Sequence, residues 1–153
     1  MSAEDRLKEL GITLPQTPPP VANYVNHVQA GNLLFLAGKG PLRDQGQQAV
    51  GKLGRDWSPE EGYQLARSCG IAQLAAIRDA LGSLDRVAQV VKVLGMVNAI
   101  PEFTQHPQVI NGFSDLMVDV FGDRGRHARS AVGMSSLPGG IAVEVEMVVE
   151  IMR

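Results

Sequence analysis

The sequence predicts an α+β domain, a mixed β-sheet with two long helices packed on one of its faces. The elements follow the order hairpin, helix, strand, helix, hairpin. Strong helix signals lie in the middle of the chain, and the last strand alternates strictly between apolar and mostly acidic residues. The length of 153 residues suits one domain with a sizeable core.

The first twenty residues differ in composition from the rest. Ser2 and Asp5 have the spacing of a capping box, which predicts a short helix, and four prolines within residues 15–20 predict an extended tether. We therefore expect an appendage over residues 1–20 that is dispensable for folding, followed by a single domain over residues 21–153.

The domain is expected to begin with a β-hairpin. Its strands are predicted at residues 24–29 and 33–37, around a Gly-Asn turn. A glycine-rich loop is predicted over residues 38–57, with a short strand at 48–52.

Two helices and three strands are predicted for the remainder. Ser58, Pro59 and Glu61 occupy the preferred N-cap, N1 and N3 positions of a long helix that Gly82 ends. A second helix runs from 107 to 122 on its apolar spacing. Strands are expected at 87–97, 130–134 and 142–152.

Composition excludes several classes of protein. The net charge of −2 argues against a surface built for nucleic-acid phosphates. A single cysteine excludes an internal disulfide framework, and no apolar run is long enough to span a bilayer. The acidic N-terminus is unlike a signal peptide, so a cytoplasmic location is expected.

The candidates for metal or thiol chemistry are weak. The three histidines, His27, His106 and His127, show no metal-ligand spacing, and Cys69 lies inside a helix, where cysteine is usually a small buried apolar residue. We expect no metal and no cofactor. Gly38 lies in a Gly-Lys-Gly-Pro segment that lacks the full spacing of a phosphate loop, so its glycines indicate positive φ or a close approach of a ligand.

Charged residues in the last strands are the better candidates. Arg129 opens an apolar strand, and burying it requires an anion, either an acid on the final strand or a ligand carboxylate. Glu144 and Glu146 share a strand face with Val148. A sheet with two partly apolar faces requires partners on both sides, which indicates oligomerisation.

Several segments resemble the RidA/YjgF family, reactive-intermediate deaminases also known as L-PSP endoribonucleases. They are HARSAVGMSSLPGGIAVEVEMVVEI, AGKGP, VINGFSDLMVDVFG and the Asn-Tyr pair at 23–24, and the resemblance covers residues 21–153. It implies a chorismate-mutase-like fold, assembled as a homotrimer with sites in the clefts between subunits. The form of the first long helix indicates a poorly characterised branch.

The resemblance also implies site residues. The family's carboxylate-binding arginine falls on Arg129 and its strand glutamate on Glu144, which gives the catalytic pair. Its tyrosine falls on Tyr24 and its helix asparagine on Asn111. Its strand-end Ser-Gly falls on residues 37–38, so Gly38 is kept and a hydroxyl is lost.

Two further positions depart from the family. Its cysteine falls on Ala131, which offers only backbone to a ligand. Lys39 replaces a usual glutamine and adds charge.

The expected function is hydrolysis of small 2-imino or enamine acids to 2-keto acids and ammonia. Arg129 would hold the carboxylate and Glu144 would orient or deprotonate water. The expected partners are a small carboxylate substrate and further copies of the chain, with no nucleic acid and no membrane. The alternative is a non-catalytic protein that binds small carboxylates, and RNA cleavage and chorismate mutase activity are less favoured.

Overall fold

The computed structural model describes all 153 residues, folded as a five-stranded sheet and three α-helices. The helices are α1 (Ala3–Glu9), α2 (Pro59–Leu81) and α3 (His106–Phe121). The strands are β1 (His27–Ala30), β2 (Leu33–Lys39), β3 (Val87–Asn98), β4 (Ala128–Met134) and β5 (Val143–Ile151). The predicted α+β class is confirmed.

The strands lie in the order β1-β2-β5-β3-β4. The first predicted hairpin is confirmed, since β1 and β2 pair antiparallel. The predicted hairpin of the last two strands is wrong, because β5 inserts between β2 and β3 while β4 pairs parallel with β3. The reason is the connection: α3 carries the chain from β3 back to the start of β4, and such a crossover gives a parallel pair.

Helices α2 and α3 cover one face of the sheet, as predicted. The N-cap Ser58 and Glu61 form a reciprocal capping box at the start of α2, and Gly82 ends the helix in the left-handed conformation at φ 84°. The two helices approach closely because Gly112 has no side chain, and a Cβ there would overlap the Tyr63 carbonyl. Strand residues that face the helices, such as Val143, are fully buried.

The N-terminal helix α1 packs into this core. Ala3 and Leu7 are 1% and 2% exposed and belong to the same apolar cluster as the sheet. Glu4 pairs with Arg78 of α2 and accepts a hydrogen bond from the backbone N–H of Leu84 at 2.9 Å. The helix α1 therefore contributes side chains to the hydrophobic core, which an appendage would not do. The division at residue 20 stays a prediction that a truncation must test.

Two local expectations are corrected. Strand β1 begins at His27, so Tyr24 precedes the sheet instead of lying in its first strand. The expected short strand at 48–52 is reduced to an isolated bridge between Val50 and Ile141, within an otherwise irregular loop. No helix has the length and apolar character required to cross a membrane.

Candidate functional site

The end of β2 carries an irregularity that presents Gly38. The pairing of β2 with β5 shifts register between Leu36 and Lys39. The fully buried Gln73 of α2 donates from Nε2 to the carbonyls of Ala37 and Val145, at 2.9 and 2.8 Å. Gln73 therefore joins the two strands where their own ladder is interrupted.

Gly38 lets the Glu144 carboxylate approach the backbone, and its φ is not positive. A Cβ at Gly38 would lie 2.7 Å from Glu144 Oε2, so any side chain would displace that carboxylate. Of the two expectations for this glycine, positive φ is wrong, and the close approach of a ligand stays a prediction; the close neighbour within the chain is Glu144. The structure thus places two of the predicted site residues in contact.

Glu144 is half-buried on the sheet face that the helices leave open. Burial raises the pKa of its carboxyl above the ordinary 4.5, and the charge of Glu146 raises it further. A carboxylate with a raised pKa is a better proton acceptor near neutral pH than an exposed one.

Tyr24 and Gly38 line a common cavity of about 680 Å³ at the end of β2. Residues of α2 also line this cavity, and Glu144 does not. Tyr24 is 50% exposed and lies in the segment between the proline run and β1. The structure therefore brings Tyr24, Gly38 and Glu144 to one region, with Gly38 between the cavity and the carboxylate.

Arg129 lies on β4, at the other edge of the sheet. Its Nη1 donates to Ser114 Oγ of α3 at 3.0 Å, and its Nη2 donates to the Pro107 carbonyl at 3.5 Å. No carboxylate lies within ion-pair distance of Arg129. Of the two anions that the sequence left open, the acid on the final strand is therefore absent, because the outward-facing acids of β5 lie on the opposite face of the sheet from α3.

Ser114 and His127 form a hydrogen-bonded chain with Arg129. His127 Nε2 lies 2.8 Å from Ser114 Oγ, and His127 Nδ1 lies 2.7 Å from the Gly125 carbonyl. An arginine can only donate, so Ser114 accepts from Arg129 and its own proton points to Nε2 of a neutral His127. Burial lowers the pKa of His127, and the nearby Arg129 lowers it further against the raising effect of the Gly125 carbonyl.

The hydrogen bonds among Arg129, Ser114 and His127 were not predicted from the sequence. His127 immediately precedes β4 and Arg129 is the second residue of that strand, so their spacing of two residues was the available signal. Ser114 has no such signal, because its place beside β4 depends on how α3 packs.

The other two predicted residues lie near the same edge of the sheet, Asn111 on α3 and Ala131 on β4. Ala131 is half-buried on β4 and packs against the core. Asn111 lines a shallow groove between α2 and α3 with Tyr63 and Gln108. Neither forms a side-chain hydrogen bond with Arg129, whose partners are Ser114 and Pro107.

The predicted site residues thus form two groups in one chain. Tyr24, Gly38 and Glu144 lie at the end of β2, and Arg129 lies across β5 and β3 from them on the edge strand β4. Arg129 reaches toward α3, whereas Glu144 faces the open side of the sheet. A single chain does not bring the predicted catalytic pair together.

Metal and thiol chemistry find no support elsewhere in the fold. No group of three or more His, Cys, Asp or Glu side chains is arranged to hold a metal ion. Cys69 is fully buried, and burial raises the pKa of its thiol well above the ordinary range. The interpretation of Cys69 as a core residue is confirmed.

The chain is similar to one described protein family and to two proteins across most of their length. Residues 4–150 match the family described as "YjgF/chorismate_mutase-like, putative endoribonuclease". The chain is 45% identical to Protein TCP17 of Trypanosoma cruzi, over 95% of this chain and 91% of that protein. It is 28% identical to the 2-iminobutanoate/2-iminopropanoate deaminase of Dermatophagoides farinae, over 92% of this chain and 94% of that protein.

A solved structure agrees with the sequence relatives. The protein Atu1372 of Agrobacterium tumefaciens superposes with a TM-score of 0.89 at 43% identity, covering 97% of this chain and 92% of that one. The family match spans nearly the whole sequence, α1 included, and the resemblance seen in the sequence is confirmed. The chain belongs to the RidA/YjgF family, whose model is the YjgF/chorismate-mutase-like one.

Proposed function

We propose that the protein hydrolyses small 2-imino or enamine acids to 2-keto acids and ammonia. One observation carries the proposal: Arg129 has a half-buried guanidinium, fixed by Ser114 and a backbone carbonyl, with no carboxylate partner in the chain. Such a group is prepared for the carboxylate of a ligand. The deaminase named among the relatives supports the reaction class.

The chemistry requires little of the protein. A protonated imine carbon is electrophilic, so water adds to it and forms a C–O bond. The nitrogen of the resulting carbinolamine takes up a proton, the C–N bond breaks to release ammonia, and the hydroxyl loses its proton as the C=O of the 2-keto acid forms. Arg129 holds the substrate carboxylate, and Glu144 accepts the proton of the attacking water, a role that its raised pKa favours.

Tyr24, Gly38, Asn111 and Ala131 complete the proposed site. Tyr24 and Asn111 shape the pocket and donate hydrogen bonds, and Gly38 and Ala131 offer backbone. Because Arg129 and Glu144 lie on opposite faces of one sheet, the proposal requires a cleft between two copies of the chain. The homotrimer is part of the proposal for this reason.

Exposed apolar side chains support association through the open sheet face. Phe35 of β2 is 45% exposed and Val132 of β4 is 39% exposed. Phe35, Leu94 and Val148 line one shallow depression on that face. Large apolar groups on an uncovered sheet favour a protein partner, and a second and third copy would cover them.

The direct test is a coupled assay that compares the hydrolysis of freshly generated 2-iminobutanoate with and without the protein. We expect catalytic amounts of the protein to accelerate formation of 2-ketobutanoate. Glu144→Gln should lower kcat by about 100-fold or more, as expected for loss of a general base, with 2-keto acid binding retained. Absence of any acceleration by the wild-type protein would refute the proposal.

The second candidate is carboxylate binding without turnover. It is favoured by Ala37, which supplies no hydroxyl at the strand end, and its carbonyl is already engaged by Gln73. The same assay separates the candidates. Saturable binding of 2-ketobutanoate with no acceleration of imine decay would indicate a binding protein.

A further inference from the structure

The cavity beside Gly38 has walls from three separate parts of the chain. The proline-rich segment 15–21 forms one side, the β2 end and its following loop form another, and Ala72 and Ala75 of α2 form the floor. Its volume of about 680 Å³ admits a small organic molecule. Prolines, alanines and Ile141 make much of the lining apolar.

The charged lining residues are all basic. Lys39 and Arg43 line the cavity, and no aspartate or glutamate does. Lys39 is half-buried, and its Nζ donates to the neutral Asn26 Oδ1 at 2.9 Å without any carboxylate within ion-pair distance. A half-buried ammonium with only a neutral partner is costly unless an anion joins it. Burial lowers the pKa of Lys39, in agreement with the missing anion.

The polar groups around Lys39 are already held in place. Asn26 accepts from Lys39 and donates from Nδ2 to the Pro18 carbonyl at 3.1 Å, so one amide links the lysine to the proline wall. Lys39 is therefore a fixed cation whose own partner is neutral, and such a group suits an oxyanion.

We propose that this cavity binds a small carboxylate, with its anionic group on Lys39 and its apolar chain against the proline wall. A fixed ammonium beside apolar walls fits a carboxylate with a short hydrocarbon chain. Phosphate would require more donors than these, and Pro41 supplies no backbone N–H.

This site is separate from the guanidinium of the proposed deaminase. Lys39 lies on β2 and Arg129 on β4, with β5 and β3 between them, and Arg129 does not line the cavity. Tyr24 and Gly38 belong to both descriptions, so a carboxylate on Lys39 would lie next to the proposed substrate. Binding in the cavity does not require turnover.

The test is a titration of the full-length protein with hexanoate, followed by the backbone amide shifts of residues 38–40, 42 and 43. Hexan-1-ol, which has the same chain without the charge, should bind at least tenfold more weakly. Lys39→Gln should weaken hexanoate binding by about 10- to 100-fold, as expected for loss of a charged hydrogen bond.

The matched control is Lys52→Gln. Lys52 Nζ also donates to an asparagine, Asn98 Oδ1 at 2.6 Å, but Lys52 does not line the cavity. Hexanoate affinity should therefore stay unchanged in this variant. Should Lys39→Gln fail to fold, the comparison of hexanoate with hexan-1-ol on the wild-type protein still decides the role of charge.

Several outcomes would overturn the proposal. They are equal affinity for hexanoate and hexan-1-ol, unchanged hexanoate binding in folded Lys39→Gln, and shifts confined to the surroundings of Arg129. Inorganic phosphate binding as tightly as hexanoate would reassign the site to a different ligand. Because hexanoate is not an imine, failure of the deaminase assay would leave these results unaffected.

Discussion

Arg129 donates to Ser114 Oγ at 3.0 Å, across the contact between the edge strand β4 and helix α3. The Ser114 hydroxyl donates a hydrogen bond to Nε2 of neutral His127, and Nδ1 of the same ring donates to the Gly125 carbonyl. The guanidinium is thus held by neutral groups and keeps its charge available. This arrangement makes Ser114 and His127 positioning residues for the proposed carboxylate site.

The role of Ser114 can be tested by removing its hydroxyl. Ser114→Ala should weaken pyruvate binding by about two- to tenfold, the net effect of one hydrogen bond, with little change in Tm. Ser114→Thr keeps the hydroxyl and should restore most of the affinity, as measured by NMR titration. A threonine variant as weak as the alanine variant would argue against positioning.

His127 should make stability depend on pH. Its pKa in the folded protein lies below the ordinary 6.5, so the unfolded chain takes up this proton first as pH falls. The contribution of His127 to the free energy of unfolding is therefore complete above about pH 6.5 and is lost as pH falls toward the lowered pKa.

His127→Gln, which does not titrate, is the variant that checks this. Denaturant unfolding at pH 7.5 and pH 5.5 should show a smaller loss of stability in His127→Gln than in the wild-type protein. Equal losses in the two proteins would show that His127 does not carry this pH dependence.

The N-terminal helix should contribute to stability in spite of the proline run that follows it. Leu7→Ala should cost about 2–5 kcal/mol of unfolding free energy, because Leu7 is 2% exposed within the core. Leu10→Ala, at a residue 39% exposed on the same helix end, should change it by less than about 0.5 kcal/mol. A truncation of residues 1–20 with unchanged Tm would contradict this and would confirm the expectation that the segment is dispensable.

The open sheet face should mediate association. The wild-type protein should sediment at about three times the 16.4 kDa chain mass at micromolar concentration. Phe35→Glu places a charge on the exposed apolar face and should shift the protein toward the monomer. Val50→Glu changes a similarly exposed residue in the 38–57 loop and should leave the mass unchanged. A monomeric wild-type protein would remove the proposed cleft.

Local patterns in the sequence predicted the elements well and their arrangement less well. The capping box at Ser58 and the alternation of the last strand depend on neighbouring residues alone, and both are confirmed. The place of β5 between β2 and β3 depends on partners far along the chain, so strand alternation did not predict it. The docking of α1 is of the same kind, because Leu7 meets residues that only the folded sheet and helices supply.

The candidate site shows the same division. The close neighbour of Gly38 within the chain is Glu144, and Arg129 donates to Ser114 instead of pairing with an acid on the final strand. A short hydroxyl on a helix has no periodic signature, so its meeting with a strand arginine requires the packed structure. The sequence pattern likewise did not predict that Arg129 and Glu144 lie on opposite faces of the sheet, with β3 between their strands.

The most direct test of the account is to measure 2-ketobutanoate affinity and Tm together for Arg129→Lys and Arg129→Ala. Lysine keeps the charge without the planar fork, and alanine removes both. We expect the alanine variant to bind about 10- to 150-fold more weakly, equivalent to about 1.5–3 kcal/mol, and the lysine variant to be intermediate, both at nearly constant Tm. Unchanged affinity together with a large fall in Tm would show that Arg129 is structural and would contradict the account.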